Sequence, residues 1–325
     1  MDRSAYILVG LQILFVAMLA LVSAHPVPFV FDRPMLAAMS FWAVGLALVL
    51  ARTGLHALRS QHPVPDFLAG LRSEVPVMVR ALKIALLAGA ALALHGWAKS
   101  MMPLIVDFWA DPPLADLDAF IFGRDPWPLF RAGWLMPVYG YLYLLWFPIT
   151  FMTLGFVAFS RRDHRGVVTA FLATLVLGGT IGQYLLPSAG PIFFERIGLG
   201  PRFAELVATN HFSFNRVSDY LWLHYSARDA AIGTGISAMP SVHVALAVWT
   251  ACAAWRLWRP LALPMALYAL GIWAASIASG WHYFTDGLAG GIIALACFHV
   301  AARRPSGNAR LRAGPGSSPE FSPSR

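Results

Sequence analysis

The sequence has few charged residues and almost no cysteine. Of its 325 residues, 12% are Asp, Glu, Lys or Arg, whereas 58% are hydrophobic. A soluble domain carries roughly 25% charged residues, so a soluble fold is excluded and an integral membrane protein is predicted. The two cysteines, Cys252 and Cys297, stand in apolar stretches, and we therefore expect no disulfide framework.

The sequence also lacks the residue patterns that hold a metal ion or follow a nucleic acid. It has no His-Glu-x-x-His motif and no cysteine pair, so neither a metal nor a cofactor is expected. The net charge is +8, but the arginines stand in short loops and in the C-terminal tail. This is the distribution of a membrane-topology signal, not of a groove that binds phosphates. The expected partners are a lipid bilayer and a membrane lipid substrate, with no nucleic acid.

Eight apolar stretches have about the length needed to cross a bilayer, whose core requires roughly 20 helical residues. They cover residues 5–23, 35–51, 80–98, 137–159, 167–187, 241–257, 261–279 and 284–301. The predicted fold class is therefore all-α integral membrane, with about eight transmembrane helices. The first stretch is favoured as an uncleaved helix over a signal peptide ending at Val22-Ser23-Ala24, because its apolar core exceeds the usual length of roughly 7–15 residues.

The loops between these stretches differ in charge. In an eight-span topology, the arginine-rich loops 51–79, 160–166 and 256–260 share one side with the tail, and the acid-rich loop 99–136 lies on the other. Since positive loops stay inside, both termini are predicted to be cytoplasmic, and the acidic side faces outward. The short basic loops favour a bacterial plasma membrane.

Two histidines mark the candidate site. His243 and His282 are 39 residues apart, which allows one crossing and a return, so both are expected at the outer face. Asp286 follows His282 by four residues on one predicted helix face, where it can accept the Nδ1 proton and leave Nε2 free. His243 follows Pro240-Ser241 at an expected helix N-terminus, which can hold an anion. This combination suits phosphoryl transfer through a phosphohistidine.

Other histidines and two other activities are weaker candidates. His95 near the outer end of its span and His224 in the long loop have no comparable arrangement, and the remaining histidines are interpreted as structural. The segment Gly235-Ile236-Ser237-Ala238 with His282 is compatible with a rhomboid-type serine protease, although Ala238 departs from that pattern. A catalytically silent lipid-binding or transport protein is the third possibility.

The two histidine motifs point to a family. Met239-Pro240-Ser241-Val242-His243 and Gly280-Trp281-His282-Tyr283-Phe284-Thr285-Asp286-Gly287 resemble the second and third signature motifs of the type 2 phosphatidic acid phosphatase superfamily, over roughly residues 135–301. The resemblance implies a six-helix phosphatase-type catalytic core. It also implies that His282 is the nucleophile, Asp286 its orienting partner, His243 the acid for the leaving group and Ser241 a phosphate ligand. The implied activity is that of a lipid phosphotransferase or phosphatase.

The resemblance is incomplete at three cationic positions. The superfamily's first motif is a lysine, six residues, then Arg-Pro, whereas the nearest frame here has Gln183 and Gly190-Pro191. The third motif has an arginine six positions before its histidine, where this chain has Ser276. Other residues must therefore supply positive charge for a transferring phosphoryl group. The outer-face candidates, in order of preference, are Arg196, Arg228, Lys99 and Arg202.

Three further motifs, less specific than the histidine motifs, resemble one branch of the superfamily. Tyr184-Leu185-Leu186-Pro187, Gly190-Pro191 and Ser237-Ala238-Met239-Pro240-Ser241 are similar to those of inositol phosphorylceramide synthases. This similarity implies transfer of a phospho-headgroup, such as phosphoinositol, between lipids at the outer leaflet, with Tyr184 as a further candidate phosphate ligand. With water as the acceptor the protein is a lipid phosphate phosphatase, and this alternative stays open. The aromatic loop 188–239 favours the transferase, because a cover excludes water.

The chain is accordingly expected to have four parts. Residues 1–98 hold N-terminal transmembrane helices with a basic cytoplasmic loop, and 99–136 form an outer interfacial segment with a short helix over 114–122. Residues 137–301 form the catalytic core. Residues 302–325, rich in Pro, Ser, Gly and Arg, are predicted to be a disordered cytoplasmic tail.

Overall fold

The regular elements of the described residues are all helical. The computed structural model describes residues 3–23, 27–162, 164, 166–228 and 234–303, and within them the predicted all-α integral membrane class is confirmed. Ala24 of the possible cleavage site and the predicted tail from residue 304 lie outside these residues. The α-helices of the described part are α1 (Arg3–Val22), α2 (Asp32–Ala57), α3 (Pro63–Met101), α4 (Asp111–Phe122), α5 (Trp127–Phe130), α6 (Leu135–Phe159), α7 (Val167–Ala173), α8 (Ala204–Ala208), α9 (Phe212–Ala227), α10 (Val242–Leu257), α11 (Ala262–Ala278) and α12 (Phe284–Ala302).

Seven helices in the described residues are long and apolar enough to cross a membrane. They correspond to seven of the eight predicted spans. The remaining one, 241–257, is α10, which has 16 residues and a length of about 24 Å at 1.5 Å per residue. The predicted basic loop 51–79 is mostly helical, because α2 continues to Ala57 and α3 already begins at Pro63. Proline at the first helical position has a backbone angle suited to a helix start.

The centre of the bundle is a buried apolar cluster shared by α1, α3, α6, α7, α10 and α12. Trp249 of α10 is fully buried there, and its indole N–H donates a 2.9 Å hydrogen bond to the carbonyl oxygen of Val167. Its ring also meets that of Phe171 edge to face. By contrast, only 6% of the residues in the apolar 18-residue stretch of α2 are buried. This is expected for a helix that meets lipid over most of its surface.

Directly after α7, a π-helical segment (Thr174–Ile181) brings three elements close together. A Cβ atom on Gly179 would lie 3.0 Å from Cγ2 of Val242 and 3.2 Å from Cε1 of His95. The missing side chain therefore lets α3 approach the first turn of α10. Because His243 is the next residue of α10, the segment places His95 near it.

The segment between α3 and α6 carries two short helices. The structure has a helix over the predicted stretch 114–122, as part of α4, which begins three residues earlier, at Asp111; its position on the membrane surface stays a prediction. Pro112 and Pro113 occupy its first turn, and Gly123 ends it with a left-handed backbone (φ 70°), the conformation that glycine adopts most readily. The aromatic loop contributes α8 and α9 over its described part.

Candidate active site

His282 lies in the turn between α11 and α12 with its side chain almost completely buried. Its Nδ1 is 2.8 Å from the carbonyl oxygen of Ala238 and 3.5 Å from Oδ2 of Asp286. Both neighbours are acceptors, so Nδ1 carries the proton and Nε2 keeps its lone pair. The structure thus brings His282 and Asp286 together as expected, but the nearer partner of the imidazole is a backbone carbonyl.

Asp286 has two tasks in the first turn of α12. It is fully buried, and its Oδ2 accepts a 2.8 Å hydrogen bond from the backbone N–H of Tyr283, which caps the helix. Its Oδ1 has no hydrogen-bond partner within the described residues. The carboxylate is therefore fixed by the helix cap and faces the imidazole of His282, whose positive charge it can stabilise.

His243 lies in the first turn of α10, half-buried among aromatic rings. Its ring centroid is 6.0 Å from that of His282, 4.4 Å from that of Trp146 and 5.1 Å from that of Tyr143. The indole N–H of Trp146 also donates to the carbonyl oxygen of His243, at 2.9 Å. The two imidazoles are close enough to act on different atoms of one phosphoryl group.

Ser241 joins the two histidine motifs. It is fully buried as the N-cap of α10, where its hydroxyl accepts a 3.4 Å hydrogen bond from the backbone N–H of Val244. Its own N–H donates to the carbonyl oxygen of Asp286, at 3.0 Å. A Cβ on Gly290 would lie only 2.3 Å from the carbonyl oxygen of Ser241, so glycine is required for this close approach of α12. The role of Ser241 as a phosphate ligand stays a prediction.

Neutral groups occupy the three positions where the superfamily has cations. Gln183 is buried and donates to the carbonyl oxygen of Thr180, at 3.3 Å. Gly190 forms a turn with φ 95°, and the hydroxyl of Ser276 donates to the carbonyl oxygen of Trp273, at 2.7 Å. Positive charge for a phosphate therefore has to come from elsewhere.

The predicted phosphate ligands outside the motifs lie in several places. Arg196 forms an ion pair of 2.5 Å with Asp219, and Arg228 is exposed at the end of α9. The hydroxyl of Tyr184 donates to the carbonyl oxygen of Ala98 in α3, at 2.5 Å. The roles of Arg196, Arg228 and Tyr184 in phosphate binding stay predictions.

The other two cations differ in their surroundings. Arg202 pairs with Asp116 at 2.6 Å and with Asp125 at 2.7 Å. Lys99, in the last turn of α3, is half-buried and interacts electrostatically with His95 and His243.

Asp111 of α4 holds the loop that corresponds to the first motif. Its carboxylate accepts hydrogen bonds from the backbone N–H groups of Ala189, at 2.7 Å, and Gly190, at 2.8 Å. It also accepts one from the hydroxyl of Tyr283, at 2.8 Å. One side chain thus fixes both this loop and the residue next to His282.

Asp118, two turns later on α4, holds the start of α12. It accepts hydrogen bonds from the backbone N–H groups of Phe284, at 2.5 Å, and Thr285, at 3.1 Å. The first N–H groups of a helix have no partner within the helix, and here a distant element supplies one. Burial raises the pKa of both Asp111 and Asp118 to about 6, against the opposing effect of these hydrogen bonds.

In the sequence, these two aspartates indicate only an acidic loop. Asp111, Leu114, Ala115 and Asp118 are all buried on one face of α4. Their spacing of three, four and seven residues is that of a helix face that packs inward. Carboxylates on such a face, among apolar residues, were the signal that could have identified them.

The rings of Phe214, Tyr143 and Trp281 pack against one another beside His243, and we call them the aromatic cover. Phe214 of α9 is buried, and its ring centroid lies 5.8 Å from that of Tyr143 and 5.9 Å from that of Trp281. Arg131 anchors the cover through hydrogen bonds to the carbonyl oxygen of Leu206, at 3.2 Å, and to Oδ1 of Asn210, at 2.9 Å. Phe214 of the aromatic loop thus packs against two of the rings that surround His243.

Neither a hydrogen bond between Ser237 and His282 nor a cluster of metal ligands is found among the described residues. Ser237 forms no hydrogen bond with His282, whose Nδ1 faces the carbonyl of Ala238 instead. Within the described part of the chain, no group of three or more His, Cys, Asp or Glu residues is arranged to hold a metal ion.

Comparison with known proteins agrees with the histidine motifs. A profile of the PAP2 superfamily matches residues 123–300, which is more than half of the chain and includes His243, His282 and Asp286. No curated protein and no solved structure matches the chain significantly. The match begins directly after α4, so α1 to α4 precede the part of the chain that matches the family. The chain therefore belongs to the PAP2 superfamily, as an all-α integral membrane member.

Proposed function

We propose that the protein is a lipid phosphotransferase that acts at the outer leaflet through a phosphohistidine on His282. The observation that carries this proposal is the arrangement of the two imidazoles. Nδ1 of His282 is engaged by Ala238 and Asp286, which leaves Nε2 free as a nucleophile. His243 lies beside it, with 6.0 Å between ring centroids, where it can serve as acid and base.

The first half of the reaction forms the covalent intermediate. Nε2 of His282 attacks the phosphorus of the donor lipid, and the bond from phosphorus to the lipid alcohol breaks as the new P–N bond forms. Protonated His243 gives its proton to the departing oxygen. The phosphorylated ring of His282 carries a positive charge, which the Ala238 carbonyl and the Asp286 carboxylate stabilise.

The second half transfers the group to the acceptor. His243, now neutral, takes the proton of an acceptor hydroxyl as that oxygen attacks phosphorus. The P–N bond breaks, and its electron pair returns to Nε2 of His282. Both histidines are then in their initial states.

The aromatic cover supports a lipid hydroxyl as acceptor. Phe214, Tyr143 and Trp281 pack against one another above His243, and such a layer keeps water from the intermediate. The resemblance of the Tyr184–Pro187 and Ser237–Ser241 segments to inositol phosphorylceramide synthases supports a headgroup such as phosphoinositol.

The charge distribution supports the proposed orientation. Arg52 of α2 and Arg161 after α6 both pair with the buried Glu74 of α3, at the end of the bundle that we assign to the cytoplasm. At the opposite end lie α4 and the two histidine motifs. In this proposal residues 99–136 are an outer interfacial segment and 137–301 the catalytic core, preceded by the N-terminal helices of 1–98 and followed by a cytoplasmic tail of 302–325.

A turnover assay with purified protein tests the proposal. Vesicles would contain headgroup-labelled phosphatidylinositol as donor and ceramide as acceptor. We expect headgroup transfer that falls by about a thousandfold or more in His282→Ala. His56→Ala is the matched control, because His56 is exposed in the last turn of α2 and its loss should leave turnover unchanged.

Other outcomes separate the alternatives. Release of labelled inositol phosphate, with no transfer to ceramide, would show that water is the acceptor and that the protein is a hydrolase. Lipid binding without turnover in the wild-type protein would indicate a silent binding or transport protein. Turnover that survives in His282→Ala would refute the phosphohistidine mechanism. Ser237→Ala should remain active, and its inactivity would support the protease.

A further inference from the structure

The site described above lacks an obvious cation. Charge develops on the oxygens of a transferring phosphoryl group, and preorganised positive groups stabilise it strongly. Arg196 and Arg202 are already neutralised by their aspartate partners. Arg228 is exposed at the left-handed C-cap of α9. A cation that faces the histidines and has no counterion would meet the requirement better.

Lys99 meets both conditions. It lies one helical turn from His95 on the same face of α3, and His95 and Val242, the neighbour of His243, both pack against Gly179. Its charge is also close enough to interact with His95 and His243. No carboxylate within the described ranges forms an ion pair with Lys99. A half-buried ammonium without an anion is costly, because removal from water is not offset by a paired charge. The position therefore favours the binding of an anion.

Contacts from two loops hold this part of α3 in place. The hydroxyl of Tyr184 binds the carbonyl oxygen of Ala98, directly before Lys99. Gly235, with φ 97°, packs so tightly that a Cβ there would lie 2.8 Å from the carbonyl carbon of Lys99. The hydroxyls of Ser100 and Thr234 are 3.4 Å apart. The segments that precede the second motif thus position Lys99 against it.

His95 links Lys99 to the start of α10. Its Nδ1 is 3.5 Å from the hydroxyl oxygen of Thr180, which also accepts a 2.8 Å hydrogen bond from the amide of Gln12. Gly179 leaves room for the His95 ring beside Val242. A face of α3 with a histidine and a lysine is therefore directed at the helix terminus that carries Ser241 and His243.

We propose that Lys99 is the cation that binds the phosphate of the lipid headgroup in this site. The inference rests on the proposed function, since the phosphate it binds is the one that His282 attacks. Lys99 lies before residue 123, where the family match begins. The N-terminal helices thus complete the phosphate site of the family core, which lacks its usual cations.

Selective lysine labelling tests this binding without relying on catalysis. The chain has two lysines, Lys83 and Lys99, and Lys83 is exposed on the same helix, so it serves as an internal reference. His282→Ala protein, which cannot turn over, would be acylated in micelles with phosphatidylinositol, with diacylglycerol or with sodium phosphate, and the modification of each lysine measured by mass spectrometry. We expect phosphatidylinositol to protect Lys99 at concentrations where sodium phosphate does not, without protecting Lys83.

Two labelling results would overturn the inference. Equal modification of Lys99 with phosphatidylinositol and with diacylglycerol would show that the lipid phosphate is not bound there. Protection by sodium phosphate alone would show a site for a free anion, not for a lipid headgroup.

Kinetics of lysine variants separate this inference from the proposed function. Lys99→Met should lower kcat/KM by about 10²–10³-fold, Lys99→Arg should recover part of the loss, and Lys83→Met should behave as wild type.

The melting temperature of Lys99→Met should not fall, since an unpaired charge is removed; a fall would indicate a structural role. If Lys99→Met is fully active while His282→Ala is inactive, Lys99 is not the cation but the mechanism stands. Activity in both variants would refute the mechanism itself.

Discussion

The hydroxyl of Tyr283 donates a 2.8 Å hydrogen bond to Asp111, which lies 172 residues earlier in the chain. Asp111 belongs to α4, which ends directly before the part of the chain that matches the PAP2 superfamily. Together with Asp118, it attaches this helix to the three residues that directly follow the candidate nucleophile and to the loop of Ala189 and Gly190. The geometry of His282 therefore depends on a segment that precedes the family core.

The two carboxyls of α4 make stability depend on pH. Burial raises the pKa of Asp111 from its ordinary value of 3.8 to about 6, so the folded protein binds this proton more tightly than the unfolded chain. The corresponding stability is fully present below about pH 4 and is lost as the pH rises to about 6, an effect on the order of 3 kcal/mol for Asp111.

This dependence can be measured by thermal unfolding in detergent between pH 4 and pH 7.5. We expect Asp111→Asn to reduce the decrease in melting temperature over this range, since the amide does not titrate. Asp116→Asn is a suitable control, because Asp116 is an exposed residue of the same helix. An identical pH profile for Asp111→Asn and wild type would contradict the assignment.

Gly190 should not tolerate a side chain. It has φ 95°, and a Cβ there would lie 2.6 Å from the carbonyl oxygen of Trp281, next to His282. We expect Gly190→Ala to lower the melting temperature and to reduce turnover. Gly198→Ala is the matched control, since Gly198 has φ 86° but no atom within 4 Å of such a Cβ. Both variants have the backbone strain of a left-handed residue, roughly 1–2 kcal/mol, so equal effects would show that contact with Trp281 is unimportant.

Phe214 should control the competition between water and the lipid acceptor. Its ring covers Tyr143 and Trp281 beside His243, so Phe214→Leu should open the cover and increase the fraction of donor that is hydrolysed. Phe212→Leu is the control, because Phe212 belongs to the same helix and is 67% exposed. The ratio of free headgroup phosphate to lipid product, measured with labelled donor, gives the answer. An unchanged ratio in Phe214→Leu would show that the aromatic cover does not exclude water.

His243 should matter less when the leaving group needs no proton. With a lipid donor, His243→Ala should lose about 10²–10⁴-fold in turnover, the usual contribution of a general acid. With a p-nitrophenyl phosphodiester, whose leaving group departs as an anion, the loss in the first step should be much smaller. The release of p-nitrophenol in a pre-steady-state burst measures this step. Equal losses with both substrates would mean that His243 does not protonate the leaving group.

The helical spans and the proximity of the two candidate histidines could be predicted because each leaves a local signal. A membrane helix requires a continuous apolar stretch, and the motifs of His243 and His282 are short segments with fixed spacing. The length of α3 could not be predicted in the same way. Its first half carries Asp66, Arg72 and Glu74, which resemble loop residues until Glu74 is seen to be paired with Arg52 and Arg161.

The spacing on α4 could have marked Asp111 and Asp118 as buried, but the groups they bind could not be predicted, because these partners are distant in sequence. Asp111 binds groups 78, 79 and 172 residues away, and no local pattern encodes such contacts. The same holds for Lys99, which the sequence placed third among the outer-face cations and which approaches His243 only through the packing of α3. Arg196 was preferred because it is near a motif in sequence, but its pairing with Asp219 became visible only in the structure.

The most direct test of the central claim is to trap the covalent intermediate. Purified protein would be mixed with headgroup-labelled phosphatidylinositol without acceptor, quenched in base, where a phosphohistidine is stable, and digested for mass spectrometry. The account predicts the phospho-headgroup on His282 in the wild-type protein and in His56→Ala, and none in His282→Ala. Label on another residue, or turnover of the donor with no label on His282, would contradict it.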